Sequence, residues 1–243
     1  MLSRYLPIFI ILSILAEILG TVGGFGSSVF FVPMASYFMD FQTVLGITAL
    51  FHLSSNITKL GFFRKGFDKT LMLYLGIPAI LFVSIGAFLS KYVNPELLTL
   101  ILGIFLLLFG LLFLINKNLI VSASKKNALI GGTLSGLIAG LLGTGGAIRG
   151  ATMTAFNLNK EKFIATSAII DLGIDLSRSI IYTYNGYVNK KDLYLIPILI
   201  GVSIVGTYLG KKVLDKITQA QFKRIVLFLL VGIGILTIIF NLK

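Results

Sequence analysis

Residues Gly143 to Gly150 read GTGGAIRG, and Gly20 to Gly26 read GTVGGFG. Each run closes a long apolar segment and opens a short one, 27–39 after the first and 147–157 after the second. Lipid cannot hydrogen-bond a broken backbone, so a glycine-rich break at membrane depth persists only where it is packed in protein or lines a watery cavity. The two breaks are therefore the expected substrate site.

The chain around them is 56% hydrophobic and 12% charged, with a mean hydropathy of +0.98. A soluble domain has about a quarter of its residues charged, so this composition predicts an integral membrane protein. Uncharged runs at Leu71–Ser90 and Leu97–Ile115 have the length that a spanning helix requires. Strand-period alternation and closely spaced turn signals are missing, which argues against an outer-membrane barrel. A net charge of +12 would suggest nucleic acid in a soluble protein. Here the basic residues sit in short loops between apolar runs, as inside-positive topology and anionic headgroups produce, and no nucleic-acid partner is expected. Without cysteine there are no disulfides and no thiolate metal sites. Arg4 followed by Tyr5 to Ala16 has the outline of a signal peptide, but the segment has an intact counterpart in mid-chain.

Hydropathy gives ten segments, 5–20, 27–39, 43–63, 70–90, 97–115, 127–142, 147–157, 162–184, 193–210 and 223–240. With Ala16 set against Ala139, Leu19, Gly20, Thr21 and Gly23 fall on Leu142, Gly143, Thr144 and Gly146, and Thr48 falls on Thr166. The expected fold is an all-α polytopic membrane protein of two five-segment repeats, 1–116 and 117–243, forming one domain joined by Asn116–Lys126. Each repeat carries a glycine-rich break and one short discontinuous helix. Ten crossings make the repeats inverted and gather Arg64, Lys65, Lys69, Lys117, Lys125, Lys126, Lys160, Lys162, Lys211, Lys212 and Lys216 on the inner side. Re-entrant short segments would leave eight crossings and a weaker charge bias. Tyr5, Tyr37, Tyr74, Tyr92, Tyr187 and Tyr194 stand near segment ends, as an interfacial belt would. Gly132, Gly136 and Gly140, and Gly206 with Gly210, recur at the spacing of close helix packing.

Charges inside apolar segments each cost a few kcal/mol on insertion scales and need a partner or a wet lumen. The eighth segment places Ser167, Asp171, Asp175 and Arg178 on one helix face, and the third places Thr48, His52, Asn56 and Lys59 likewise. Asp175 and Arg178 can neutralise each other, which leaves Asp171 without a fixed partner and a candidate proton or cation relay. His52, the sole histidine, is either a titrating group or a packing residue. Lys59 either serves the site or snorkels to the headgroups. Freed N–H groups at Gly23, Gly24, Gly145 and Gly146 suit an anion. Arg149 and Thr144 stand beside the second pair, and a guanidinium can hold two oxygens at once. The competing reading is a glycine-packed helix break with Arg149 at an interface.

Soluble-enzyme motifs are missing: GTGGAIRG fits neither GxGxxG nor GxxxxGK[ST]. HExxH is missing too, and a single histidine cannot build the usual zinc sites. Asp171 and Asp175 share one helix and lack the GxGD of intramembrane aspartyl proteases. The expectation is no enzyme, no cofactor and no metal.

At these residues the chain resembles the sulfite exporter TauE/SafE family. GTVGGFGSSVFFVP with Pro33 and GITAL at Gly46–Leu50 match the first half of the family pattern, and GLLGTGGAIRG at Gly140–Gly150 with ATSA at Ala165–Ala168 match the second. Two departures stand out: Ala155 and Phe156 occupy the region where the second cluster's proline would fall, and Arg149 lies within the cluster. Family members are associated with export of sulfite, sulfoacetate and other small sulfur-containing or organic anions. The resemblance implies a small-anion permease of a prokaryotic cytoplasmic membrane, with alternating access at a midplane site.

The expected substrate-binding residues are Gly23, Gly24, Thr48, Thr144, Gly145, Gly146, Arg149 and Ser167. His52, Asn56, Asp171, Asp175 and Arg178 are the candidates for coupling and ion pairing, with protons as a possible coupling ion and the oligomeric state open. The rivals are a cation or neutral-solute transporter built on Asp171 and Asp175, and a non-transporting membrane subunit.

Overall fold

A computed structural model describes residues 2–24, 26–64, 66–115, 122–216 and 218–241. Lys65, Lys117 and the 116/117 boundary, with most of the expected linker, lie outside the described residues. Within them the chain is helical without strands. The helices are α1 (Leu2–Gly23), α2 (Ser28–Ala35), α3 (Phe41–Phe62), α4 (Lys69–Tyr92), α5 (Pro95–Ile115), α6 (Lys125–Leu142), α7 (Gly146–Thr154), α8 (Lys160–Tyr184), α9 (Leu195–Leu214) and α10 (Gln219–Asn241). They fall on the hydropathy segments in order. Helix α4 contains a π-turn at Met72–Gly76, where the Ile77 N–H bonds back to the Met72 carbonyl. Pro78 follows it and has no N–H to give to the ladder.

Among the described residues, four helices are long and apolar enough to cross a membrane: α1 from Tyr5, α4, α5 and α9. Helices α3 and α8 are as long but carry the polar stripes, and they lie against each other. Asn56 meets Asp175 near their middles, Gly46 lies under Tyr187 at one end, and Phe63 packs with Ile164 and Ala165 at the other, so the two run antiparallel. Helices α2 and α7, at about 12 Å, fall well short of a ~30 Å hydrocarbon core.

Two parallel pairs flank this centre. On α6, Gly132, Gly136 and Gly140 face the backbone of Leu75, Ala79 and Val83 of α4, and a Cβ at any of the three would strike a carbonyl oxygen. On α9, Gly206 and Gly210 face Ile14 with Glu17 and Ile18 with Thr21 of α1. Helix association in lipid depends on such close van der Waals approach. Helices α5 and α10 pack antiparallel, Gly103 against Ile238 and Gly110 against Val231. Leu108, Leu112 and Ile115 on α5 and Phe228, Ile239 and Phe240 on α10 point outward, as lipid-facing side chains do.

The tyrosine belt needs one correction. Tyr5, Tyr37, Tyr92 and Tyr194 are exposed, but Tyr187 is buried, stacks on Tyr182 and hydrogen-bonds the Ser90 hydroxyl at 3.2 Å. Its position near a segment end reflects a packed connection rather than an interface.

Candidate functional site

A long helix ends at each glycine run and a short one follows it. Helix α1 stops at Gly23, and the chain turns through Gly24 and Gly26, at φ 65° and 82°, before α2 begins at Ser28. Helix α6 stops at Leu142, and Gly143 closes it at φ 75° with its N–H on the Ala139 carbonyl. These left-handed values suit glycine, which has no Cβ to collide with the neighbouring carbonyl. The breaks touch directly, since the Ser28 hydroxyl donates to Thr144 Oγ1 at 3.3 Å.

Helix α7 carries Arg149 on its first turn and buries it to 2% exposure. Its guanidinium meets Asp171 with both terminal nitrogens, Nη1 on Oδ1 and Nη2 on Oδ2. Asp171 thus has a fixed partner, contrary to the sequence reading; the spacing along α8 could not reveal a cation arriving from another helix. Arg149 Nε also donates to Ser167 Oγ at 3.3 Å, and that hydroxyl donates to the Gly24 carbonyl at 3.0 Å. One serine therefore joins the first break to the arginine of the second. Gly26 completes the contact, for a Cβ there would lie 3.5 Å from Arg149 Nη2 and 3.7 Å from Asp171 Oδ2.

One turn further along α8, Asp175 is shared among three partners. Arg178 donates to its Oδ1 through Nε at 2.8 Å and Nη2 at 2.7 Å, Asn56 donates to Oδ2 at 2.7 Å, and His52 Nδ1 stands 4.0 Å from Oδ2. Arg178 Nη1 donates to the Gly143 carbonyl at 2.6 Å and so caps the end of α6 at the second break. His52 Nε2 lies 3.1 Å from Ser27 Oγ.

Glu17 is the residue that sequence reasoning missed. It is wholly buried on α1, where its Oε1 accepts from Ser55 at 2.6 Å, Thr207 at 3.1 Å and Thr21 at 3.3 Å, and its Oε2 accepts from Ser27 at 2.5 Å. Lys59 pairs with Oε1 at 2.8 Å and donates to Ser55 Oγ at 2.8 Å. Lys59 is thus turned inward and does not snorkel. Glu17 was visible as the sole acid of an apolar segment three residues before the first break.

A narrow cavity of about 10 Å³ adjoins this network, lined by Gly20, Gly24 and Gly26 of the first break, Asn56 and Lys59 of α3, and Ile164, Ser167, Ala168 and Asp171 of α8. Of the expected residues, Gly24, Asn56, Ser167 and Asp171 line it. Gly23 stands at the end of α1 beside them, whereas Arg149 reaches it through Asp171 and Ser167. Gly145 and Gly146 open α7, Gly145 pressed against the Ser135 carbonyl of α6. Thr48 donates to the Val44 carbonyl of its own helix at 2.6 Å. No cluster of three or more His, Asp or Glu able to hold a metal occurs among the described residues.

Apolar spanning helices around a buried, charge-paired centre define an integral membrane protein with a polar interior. The model of the sulfite exporter TauE/SafE family matches residues 9–237, and the chain belongs to that family. It is therefore a membrane transport protein of a family named for sulfite export. No curated protein and no solved structure matched the chain.

Proposed function

We propose that the chain is a secondary transporter that carries a small oxyanion, sulfite or another sulfur-containing or organic anion, across a prokaryotic cytoplasmic membrane together with a proton. The observation that carries this reading is Ser167, whose hydroxyl joins the Gly24 carbonyl of one break to Arg149 of the other at the wall of the cavity. Gly23, Gly24, Gly145 and Gly146 supply backbone dipoles, Thr144 is the remaining hydroxyl, and Arg149 holds the anion; Thr48, bonded to its own helix, takes no part.

Charge balance supports the proton. Among the described residues the centre holds Glu17, Asp171 and Asp175 against Lys59, Arg149 and Arg178. An anion adds a negative charge with no partner, and in a low-dielectric interior that is unfavourable unless a carboxylate is neutralised. Asp171 lines the cavity and holds Arg149. Its protonation releases the guanidinium, and the anion takes the place of the carboxylate. Asp175 stays paired with Arg178 as counter-ion, with His52 and Asn56 as its neighbours.

The reading includes two inverted repeats with alternating access, and the packing supports it. Helices α1 and α6 each lie parallel to the fourth segment of the other half, α9 and α4, while the corresponding pairs α3 with α8 and α5 with α10 are antiparallel. This exchange is what an inverted duplication produces, and rocking of one half against the other moves the site between the two faces. A cation carrier built on Asp171 and Asp175 is disfavoured because both carboxylates are paired with arginines.

The test is flux in proteoliposomes. Sulfite uptake is expected to acidify the lumen and to quicken when the outside is made acidic. Arg149→Ala with full flux overturns the anion assignment, and Asp171→Asn with unchanged dependence on the pH gradient removes the coupling role.

A further inference from the structure

We propose that Lys59 is the group that first receives the anion and that Glu17 sets how tightly it is held; the proposal rests on the small-anion reading above. An ammonium has three N–H donors. Two are engaged among the described residues, on Glu17 Oε1 and Ser55 Oγ at 2.8 Å each. Lys59 also lines the cavity, so its third donor serves whatever enters. Arg149 is in a different position, joined to Asp171 at two points and reaching the cavity only through its partners. Lys59 is therefore the cation that an incoming anion meets before any proton has moved.

Glu17 makes this ammonium a fixed fixture. The carboxylate is held by hydroxyls from α1, the first break, α3 and α9, so the lysine bound to it cannot swing freely. The same carboxylate lowers the field that the anion feels, because the ammonium is already half neutralised. The other charged group on the cavity wall is Asp171, while His52 connects to Glu17 through Ser27. The occupant must be small, since the enclosed space at this wall is about 10 Å³, room for about one water-sized group, and a ligand enters only as the groups around it part. The fitting ligand is a compact oxyanion of a few heavy atoms, with one oxygen for Lys59 and another for Ser167 or protonated Asp171.

The sign of the Glu17 effect separates this role from a structural ion pair. The purified full-length protein is titrated calorimetrically with sulfite, then with methanesulfonate and acetate, with chloride as control. Lys59→Gln is expected to raise the Kd by ~30-fold, and Glu17→Gln to lower it by ~10-fold, as removal of a unit charge at short range would. Should Glu17→Gln not fold, the double variant Glu17→Gln/Lys59→Gln leaves no unpaired buried charge there and is expected to fold and to bind as weakly as Lys59→Gln. A Kd within twofold of wild type in Lys59→Gln or in the double variant overturns the proposal, as does weaker binding by folded Glu17→Gln. If Arg149→Ala weakens binding while Lys59→Gln does not, the carrier reading stands and Lys59 has no part in it. Wild-type protein that binds none of the three anions overturns both.

Discussion

Arg149 of α7 and Asp171 of α8 meet two-on-two, each terminal guanidinium nitrogen on its own carboxylate oxygen. Removing one member of such a buried pair leaves the other charge uncompensated, which costs about 3–5 kcal/mol, whereas replacing both by apolar side chains of similar volume is often neutral. Arg149→Ala and Asp171→Leu are each expected to lower the midpoint of thermal unfolding in detergent sharply. Arg149→Met with Asp171→Leu is expected to restore most of it while sulfite flux stays lost. Recovery of flux in the double variant would mean that the pair serves structure alone.

Arg178 has a different task, because it joins Asp175 to the Gly143 carbonyl at the end of α6. Lysine keeps the charge but not the planar fork, so it cannot serve both partners in the same geometry. Arg178→Lys is expected to destabilise the protein by about 2 kcal/mol, in the range of a lost hydrogen bond to a charged group. The measurement is the unfolding midpoint against wild type in the same detergent. Unchanged stability would mean that the second break does not depend on this cap.

Most of the fold was legible because apolar length and punctuation by loop charges are strong signals: α4, α5 and α9 match the corresponding hydropathy segments closely. The stripes on α3 and α8 were legible for the same reason, four-residue periodicity being local. Partnership between helices was not. Asp171 looked unpartnered along α8 because its arginine lies 22 residues earlier, beyond a connection. Glu17 drew no notice because the row Ser13, Glu17, Thr21 on α1 carries a single ionisable group, and apart from Thr21 its partners come from α3, α9 and the first break. Thr48 was the opposite case, on the stripe by spacing but with its hydroxyl bonded to its own backbone.

The glycine ridge of α6 and an isolated glycine of α9 offer a controlled contrast. A Cβ at Gly136 would run into the Ala79 carbonyl, and backbone cannot yield as a side-chain tip can. Gly136→Leu is therefore expected to force α4 and α6 apart, at ~3 kcal/mol or more, and to abolish folded expression. Gly201 is exposed with nothing near the position of a Cβ. Gly201→Ala is expected to leave flux unchanged and to add up to about 1 kcal/mol, since alanine is the better helix former. Monodisperse yield on size exclusion reads the first and the unfolding midpoint the second. Equal behaviour of the two variants would mean that the ridge is not a contact surface.

Two hydroxyls expected at the site are now distinguishable by what they touch. Ser167 bridges the Gly24 carbonyl and Arg149 Nε beside the cavity, while Thr48 bonds to Val44 within α3. Ser167→Ala leaves both a carbonyl and a guanidinium N–H of the bridge without their partner, and an unsatisfied buried group costs about 1–3 kcal/mol. Part of that loss falls on the position of Arg149, so sulfite affinity is expected to drop by ~10-fold with a smaller fall in stability. Thr48→Val removes only a local bond that a helix can lose without rearrangement, and its affinity is expected to stay within about twofold, below ~0.5 kcal/mol. Calorimetric Kd values for the two variants, measured beside their unfolding midpoints, check this. A larger loss for Thr48→Val than for Ser167→Ala would move the anion toward the first half of α3 and away from the junction of the breaks.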